Sequence, residues 1–484
     1  MSPRFRLLAA GSIAVVAAVL MASDIADESF GFAGLIAACT LWVFLEWRKG
    51  ASPEAWILAA VSFGYIVGNR GFAQFQFTSR IPLLPAETAL LFCTLGLGIR
   101  AAMSRARAFS FDLLDVAILM WLVFATLRLP MDIRDYGVFA LRDYALAYYA
   151  VFYFLTRYAC SEPHSAVLLE RSYTAAFIVL PLAVLVDGLF PGIYGQYLSW
   201  NGIPLIYYKS DLISASLVCG SFWFWSRFEL SRRRVWLLPS AISLLMVGTE
   251  ESPRAALVAA AVTTAAWLYA RRPRLVGFQL AVIAAGVAIS VPLEMARGHP
   301  LIETKSYEMY ERLVSIVDIN NTHSYLNSNS AYTTDNNQFR RVWWNAVYEE
   351  TMATNPLFGL GFGHDLAARF LADYNWISAE EEFNTRSPHS IILTNFGRLG
   401  FIGLGLFLLG AAMIARSARV AFKAADLESM AWWSIVITVA ISACFGVVLE
   451  GPMGAVIFWV ALGVARVKTA AFAARSGAAP HEDK

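Results

Sequence analysis

Apolar runs of about twenty residues recur from one end of this 484-residue chain to the other. That is the length an α-helix needs to cross the ~30 Å hydrocarbon core of a bilayer. They read as candidate spans near 7–22, 30–46, 54–69, 82–99, 112–128, 137–156, 166–190, 210–226, 234–248, 254–270, 275–293, 389–415, 429–448 and 453–468. Backbone polar groups in lipid must be satisfied internally, so these runs imply helices and exclude an open sheet. The expected fold is an all-α polytopic membrane protein with 12–14 transmembrane helices. Only 15% of residues are charged and 58% are hydrophobic, whereas soluble domains carry about 25% charge. That excludes a soluble enzyme, a disordered chain and a disulfide scaffold. The net charge of +2 is dispersed, so no nucleic-acid partner is expected. Cys39, Cys93, Cys160, Cys219 and Cys444 have no metal-ligand or C-x-x-C spacing and read as free thiols. The first run, behind Arg4 and Arg6, reads as an uncleaved span rather than a signal peptide.

The connecting segments sort by basic charge. Arg48/Lys49, Arg100/Arg105/Arg107, Arg157, Arg227 with Arg232–Arg234, Arg271/Arg272/Arg274, Arg416/Arg419/Lys423 and Arg466/Lys468 fall on the side of Arg4/Arg6. The opposite side holds fewer, namely Arg70, Arg80, Arg128, Arg134 and Lys209. By the positive-inside rule the first set, with both termini, is cytoplasmic. The chain then divides into a bundle at 1–293, a large polar extracytoplasmic loop at 294–388, C-terminal spans at 389–470 and a cytoplasmic tail at 471–484. The loop carries helix signals of its own. Asp335 and Gln338 fit a capping box, Phe339, Trp343, Ala346 and Val347 recur at helical spacing, and Asn355-Pro356 stops the run.

Two span starts share a grammar, Ser252-Pro253-Arg254 and Ser387-Pro388-His389. Serine suits the N-cap and proline the first helical position, which puts Arg254 and His389 in the first turn. Such helix ends favour anions and disfavour a charged histidine, which would stay neutral and able to accept a proton. Snorkelling to head groups, for Arg254, and plain capping, for His389, are the bland alternatives. In the loop, Arg340 and Arg341 stand beside Trp343 and Trp344. Guanidinium pairs with phosphate and indole suits sugar faces, although an amphipathic helix on the bilayer has the same composition. Among charges in or near spans (Glu87, Asp115, Arg142, Asp143, Glu170, Arg171, Asp187 and Asp211), Arg142 lies near the extracytoplasmic end of its helix. Gly359-x-Gly361-x-Gly363 lacks a P-loop lysine and reads as a turn. His299, His323 and His364 have no partners at zinc spacing.

The stretch Phe339-Arg340-Arg341-Val342-Trp343-Trp344, followed by Asn355-Pro356-Leu357-Phe358-Gly359-Leu360-Gly361-Phe362-Gly363, resembles the Wzy_C/O-antigen ligase pattern R-x-x-x-W…P-L-x-G-x-G. Ser387-Pro388-His389-Ser390 with Gly397-Arg398-Leu399-Gly400 is similar to that family's histidine-plus-glycine segment. Ser252-Pro253-Arg254-Ala255 resembles its S-R-G-A element, with proline inserted and alanine in place of glycine. The resemblance implies a GT-C-like helical bundle and a metal-independent, cofactor-free glycosyltransferase on the outer face of the bacterial inner membrane. Its donor would be a glycan on polyprenyl (undecaprenyl) diphosphate. His389 matches the essential histidine, and Arg254 with Arg340 (or the adjacent Arg341) the diphosphate-binding arginines. Arg142 joins the diphosphate-binding set, and Trp343 and Trp344 are the expected sugar- or lipid-contacting side chains.

The paired tryptophans and the S-P-H and G-R-L-G variants resemble repeat-unit polymerases, for which the acceptor is another lipid-linked glycan and a chain-length regulator is a plausible partner. A ligase acting on lipid A core is the alternative within the family. A lipid-linked oligosaccharide flippase is the alternative outside it, but it would show two related halves and mid-bilayer charges, and no long repeat is evident.

Overall fold

The computed structural model describes residues 50–75, 84–102, 111–200, 202–250, 254–318, 320, 322–374 and 386–475, so the expected spans at 7–22 and 30–46 lie outside the described residues. The chain is helical almost throughout. In order the helices are α1 Pro53–Gln74, α2 Pro85–Ala102, α3 Leu113–Tyr136, α4 Val138–Asp143, α5 Ala145–Tyr148, α6 Val151–Ala159, α7 Pro163–Leu189, α8 Ile193–Tyr197, α9 Ser210–Ser231, α10 Leu237–Val247, α11 Arg254–Tyr269, α12 Arg274–Ala296, α13 Lys305–Val317, α14 Ser328–Thr354, α15 Ala368–Tyr374, α16 Ile391–Ala424, α17 Leu427–Ala443 and α18 Pro452–Arg475. Two short strands, β1 Ser199–Trp200 and β2 Ile203–Pro204, pair antiparallel between α8 and α9.

The chain is an all-α polytopic membrane protein. Among the described residues five helices (α3, α7, α12, α16 and α18) are long and apolar enough to cross a membrane, and the bent α4–α6 segment makes a sixth. Four further apolar helices are shorter, at 10–17 residues. The bundle centre is aromatic. Trp223 of α9 and Trp432 of α17 meet edge to face at 4.8 Å, with Tyr173 of α7 4.8 Å from Trp432. By contrast α12 exposes Leu280, Ile283, Val287 and Ile289, as a lipid-facing helix does.

Helix starts follow the local sequence. Ser52 caps α1 by accepting from the Ala55 N–H, with Pro53 at the first helical position. At α3 the Asp112 carboxylate accepts from Leu114 and Asp115 N–H, and the Asp115 carboxylate accepts from Asp112 N–H at 2.8 Å. Two expectations need correction. The run 137–156 is not one helix but three pieces, with a 42° bend between Val138–Tyr148 and Val151–Ala159. Tight i to i+3 turns replace the helical ladder at Tyr144–Ala147 and Ala147–Ala150. The side chains at the breaks are engaged elsewhere: Asp143 pairs with Arg398, and the Tyr148 and Tyr149 hydroxyls both donate to Glu87 Oε1 at 2.6 Å. In the loop, α14 begins at Ser328, so Asp335 stands inside the helix rather than at its cap.

The large loop folds onto one end of the bundle. There α14, α15 and the segment between them gather a small core of their own from Trp343, Ala346, Val347, Leu360, Leu366 and Phe370.

Candidate functional site

The site starts from a backbone turn. Helix α16 is capped at Ser390 and begins at Ile391, so His389 stands before the cap rather than in the first turn, with φ at 55°. A non-glycine residue in that region costs about 1–2 kcal/mol and has to be held there. Three contacts do so. Ser387 Oγ donates to Glu450 Oε1 at 2.6 Å instead of capping the helix, and Thr394 Oγ1 donates to the same oxygen at 2.8 Å. The indole N–H of Trp344 donates to the Pro388 carbonyl at 2.7 Å. The His389 ring then lies 5.8 Å from that of Trp343. Burial pushes the imidazole down to about 4, reinforced by the positive charges of Arg340 and Lys209. At neutral pH His389 is therefore uncharged.

Two cationic side chains, Arg340 and Lys209, act on it, and a third, Arg254, stands next to Arg340. Arg254 opens α11 (Ser252 and Pro253 lie outside the described residues), and its Nη1 donates to Ser315 Oγ at 3.4 Å. Arg340 comes from α14; burial lowers its guanidinium, opposed by the Asp211 carboxylate. Arg254 feels the charges of Arg340 and Arg312, which links the two expected arginines directly. Lys209 precedes α9 and sits 3.8 Å from Asp211. Both Lys209 and Asp211 are new to the site; in the sequence they read as ordinary charges beside a span. The nearest signal was that Lys209 interrupts an otherwise basic-poor side.

The remaining expected residues fall elsewhere. Arg341 is exposed and donates to Asn320 at 3.4 Å, so of the adjacent pair it is Arg340 that meets His389. Arg142 pairs with Asp143 at 3.0 Å and lies over Phe139; its charge acts on Arg398, not on His389. Trp343 is 1% exposed, stacked on Phe370, with its N–H donated to Leu366 O, and so has no open face for a sugar. Trp344 spends its N–H on the Pro388 carbonyl. Among the described residues no three His, Cys, Asp or Glu side chains gather as metal ligands.

The glycine segment is more than a turn. Residues 356–361 run as a strap along a break in α16, where Gly400 has φ 63°. Leu360 N donates to Gly397 O, Gly361 N to Arg398 O and Phe401 N to Pro356 O, at 2.7–3.0 Å. The glycines allow the approach: a Cβ at Gly359 would lie 2.5 Å from Gly400 N, and one at Gly361 2.4 Å from the Asp132 carboxylate. Ionic side chains then clamp the strap. Arg128 donates to the carbonyls of Phe358 and Gly359, buried Asp132 accepts from Phe362 N at 2.8 Å, and Asp143 bridges Gly363 N and buried Arg398. Arg398 belongs to the G-R-L-G segment; nothing in the spacing of Arg128, Asp132 and Asp143 reveals their shared target more than two hundred positions away.

Below the site, α3, α11, α16, α17 and α18 enclose a half-open apolar cleft of about 600 Å³. Trp121, Phe407, Ile437 and Phe458 line it, and Ile391 and Ile392 close its end beside the His389 turn.

Residues 240–408 match the family model described as O-antigen ligase, Wzy_C. No curated protein matches the chain. The matched segment contains Arg254, Arg340, His389, the strap and the break at Gly400, and leaves Lys209 and Asp211 outside. The segment similar to the O-antigen ligase family model thus carries the neutral histidine, two of the arginines near it and the kinked membrane helix behind them.

Proposed function

We propose that this protein is an inner-membrane glycosyltransferase that moves a glycan from a polyprenyl diphosphate carrier to an acceptor glycan, as a repeat-unit polymerase. The O-antigen ligase domain supports glycan transfer as the class of activity. The observation that carries the finer reading is the convergence of Arg254, Arg340 and His389, from three distant segments, above an apolar cleft. A lipid diphosphate requires this pairing of cations and oily groove. As the acceptor hydroxyl oxygen attacks the anomeric carbon, the bond from that carbon to the phosphate oxygen breaks and the diphosphate leaves with the electron pair. Arg254, Arg340 and Lys209 stabilise the charge that develops on it. His389, neutral and beside the centre, takes the hydroxyl proton as attack proceeds, and configuration inverts. The carrier chain lies in the cleft, and by the distribution of basic loops the site faces the periplasm.

A flippase needs its charges along a mid-bilayer path, whereas the cluster here gathers at one end of the bundle around loop residues. A ligase acting on lipid A core shares this chemistry and differs in acceptor. Transfer by the purified protein in nanodiscs, with a lipid-linked oligosaccharide as donor, tests the reading. His389→Ala should lower the rate 10²–10⁴-fold, the range for loss of a general base, and activity should persist in EDTA. Wild-type rates from both folded His389→Ala and Arg340→Ala proteins would overturn it. In a deletion strain, single repeat units on the acceptor mark a lost polymerase, and a bare lipid A core marks a lost ligase.

A further inference from the structure

Of the tryptophans expected to face sugar, Trp343 is buried and Trp344 has its N–H engaged, yet the molecule presents other aromatic faces beside the site. Between Asp187 and Lys209 there is no charged residue, and the segment carries Tyr194, Tyr197, Trp200, Tyr207 and Tyr208 among glutamine, serine, asparagine and glycine. It forms a built structure. Strands β1 and β2 pair with Ser199 opposite Pro204 and Trp200 opposite Ile203. The chain then lies across a break in α1 at Asn69, whose φ is 51°. Gly71 N donates to Tyr207 O and Tyr207 N to Gly68 O, each at 3.2 Å, and Lys209 N donates to Asn69 Oδ1 at 3.2 Å. A Cβ on Gly71 would fall 2.4 Å from Pro204 O, so the two segments are in close backbone contact. On this fixed base Tyr197, Trp200 and Tyr207 remain 75%, 51% and 49% exposed, with the Arg70 guanidinium over one face of Tyr207 at 5.6 Å. Two residues beyond Tyr207 the chain delivers Lys209 to the His389 cluster.

We infer that this hairpin is a glycan shelf: its exposed rings, Trp200 and Tyr207 first, stack on pyranose units of the donor whose diphosphate sits at Arg254, Arg340 and Lys209. The inference rests on the glycosyltransferase reading. Pyranose C–H edges are weakly positive and the face of an indole or phenol ring is negative, so stacking is favourable, and an uncharged segment with amide and hydroxyl groups suits the sugar hydroxyls. Such a shelf would sit immediately before the first phosphate. An aromatic belt at the membrane interface is the competing role for these rings.

The two roles separate in a binding experiment. Full-length His389→Ala protein, expected to consume donor about 10²–10⁴-fold more slowly, is titrated in nanodiscs with two probes: lipid-linked oligosaccharide extracted from a strain deleted for the gene, and sugar-free undecaprenyl diphosphate. Adding Trp200→Leu and Tyr207→Leu keeps the side chains apolar and removes the rings. The expected result is about tenfold weaker binding of the glycan-linked probe with the sugar-free probe unchanged, and recovery with Trp200→Phe and Tyr207→Phe. Equal weakening for both probes, or unchanged binding of the glycan-linked probe, overturns the shelf. Failure of the His389→Ala protein with intact rings to bind either probe would instead remove the glycosyltransferase reading on which the shelf stands.

Discussion

Two segments of this protein dock on broken helices, and they do so by different means. The 356–361 strap lies on α16 at Gly400, clamped by Arg128, Asp132, Asp143 and Arg398. The 204–209 segment lies on α1 at Asn69, held by backbone hydrogen bonds, glycine contacts and the Asn69 amide. Each ends at a residue of the cluster or supports one: the strap backs the helix that follows the His389 turn, and the second segment runs into Lys209. Only the first lies in the segment that matches the O-antigen ligase family model. The difference separates two tasks. In the proposed reaction the ionic, deeply packed clamp would fix the reacting groups, while the uncharged hairpin, held by backbone contacts, could change its sugar contacts without disturbing them.

The sharpest way to break this division is at α14. Arg340→Ala should lower transfer 10²–10³-fold, as expected for removal of one charge-stabilising donor, whereas exposed Arg341→Ala should change it less than twofold. Comparable losses from both would erase the distinction between the neighbours. Next comes the clamp itself. Gly361→Ala places a Cβ against Asp132 at φ 95° and should destabilise the protein by about 2–5 kcal/mol, read as earlier labelling of buried Cys93, Cys160 and Cys219 by a thiol dye on heating. The His389 turn is the third target. Glu450→Ala leaves the Ser387 and Thr394 hydroxyls without their shared acceptor and should lower kcat about tenfold with KM unchanged, while Glu450→Gln, which keeps an acceptor oxygen, stays near wild type. An equal loss in the two variants would mean that the charge of Glu450, not its hydrogen bonds, matters.

The smallest effect belongs to the hairpin side. As the proposed general base His389 acts in its neutral form, so activity should fall as pH drops through its pKa, lowered to about 4 from the usual 6.5. Lys209→Met removes one of the charges holding that pKa down. The acid limb of kcat/KM should therefore move to higher pH, with a severalfold loss at neutrality. An unmoved limb would detach Lys209 from the site.

Much of the architecture was legible because hydrophobic run length is a direct consequence of bilayer thickness. The runs at 112–128, 166–190, 275–293 and 453–468 all fall on long helices. The break in 137–156 was not legible, since no proline or glycine marks it; it follows from where Asp143, Tyr148 and Tyr149 find partners. The same holds at the site. Arg254, Arg340 and His389 could be picked from motifs, but Ser387 looked like a cap because its alternative partner, Glu450, is 63 positions away. Trp343 looked like a sugar contact because its burial is decided by α15, which does not sit next to it in sequence, and the bond from Trp344 to the His389 turn was hidden for the same reason.

The half-open cleft of about 600 Å³ beneath His389 also bears on how such a protein meets its substrate. A carrier lipid that enters sideways never dissolves in the surrounding water, so what counts is its abundance per phospholipid rather than per litre. Diluting the membrane with extra lipid or detergent would then slow the reaction even at constant bulk substrate. Rates compared between preparations become meaningful only at matched lipid composition, and crowding in the plane of the bilayer, more than affinity in solution, would set the pace in the cell.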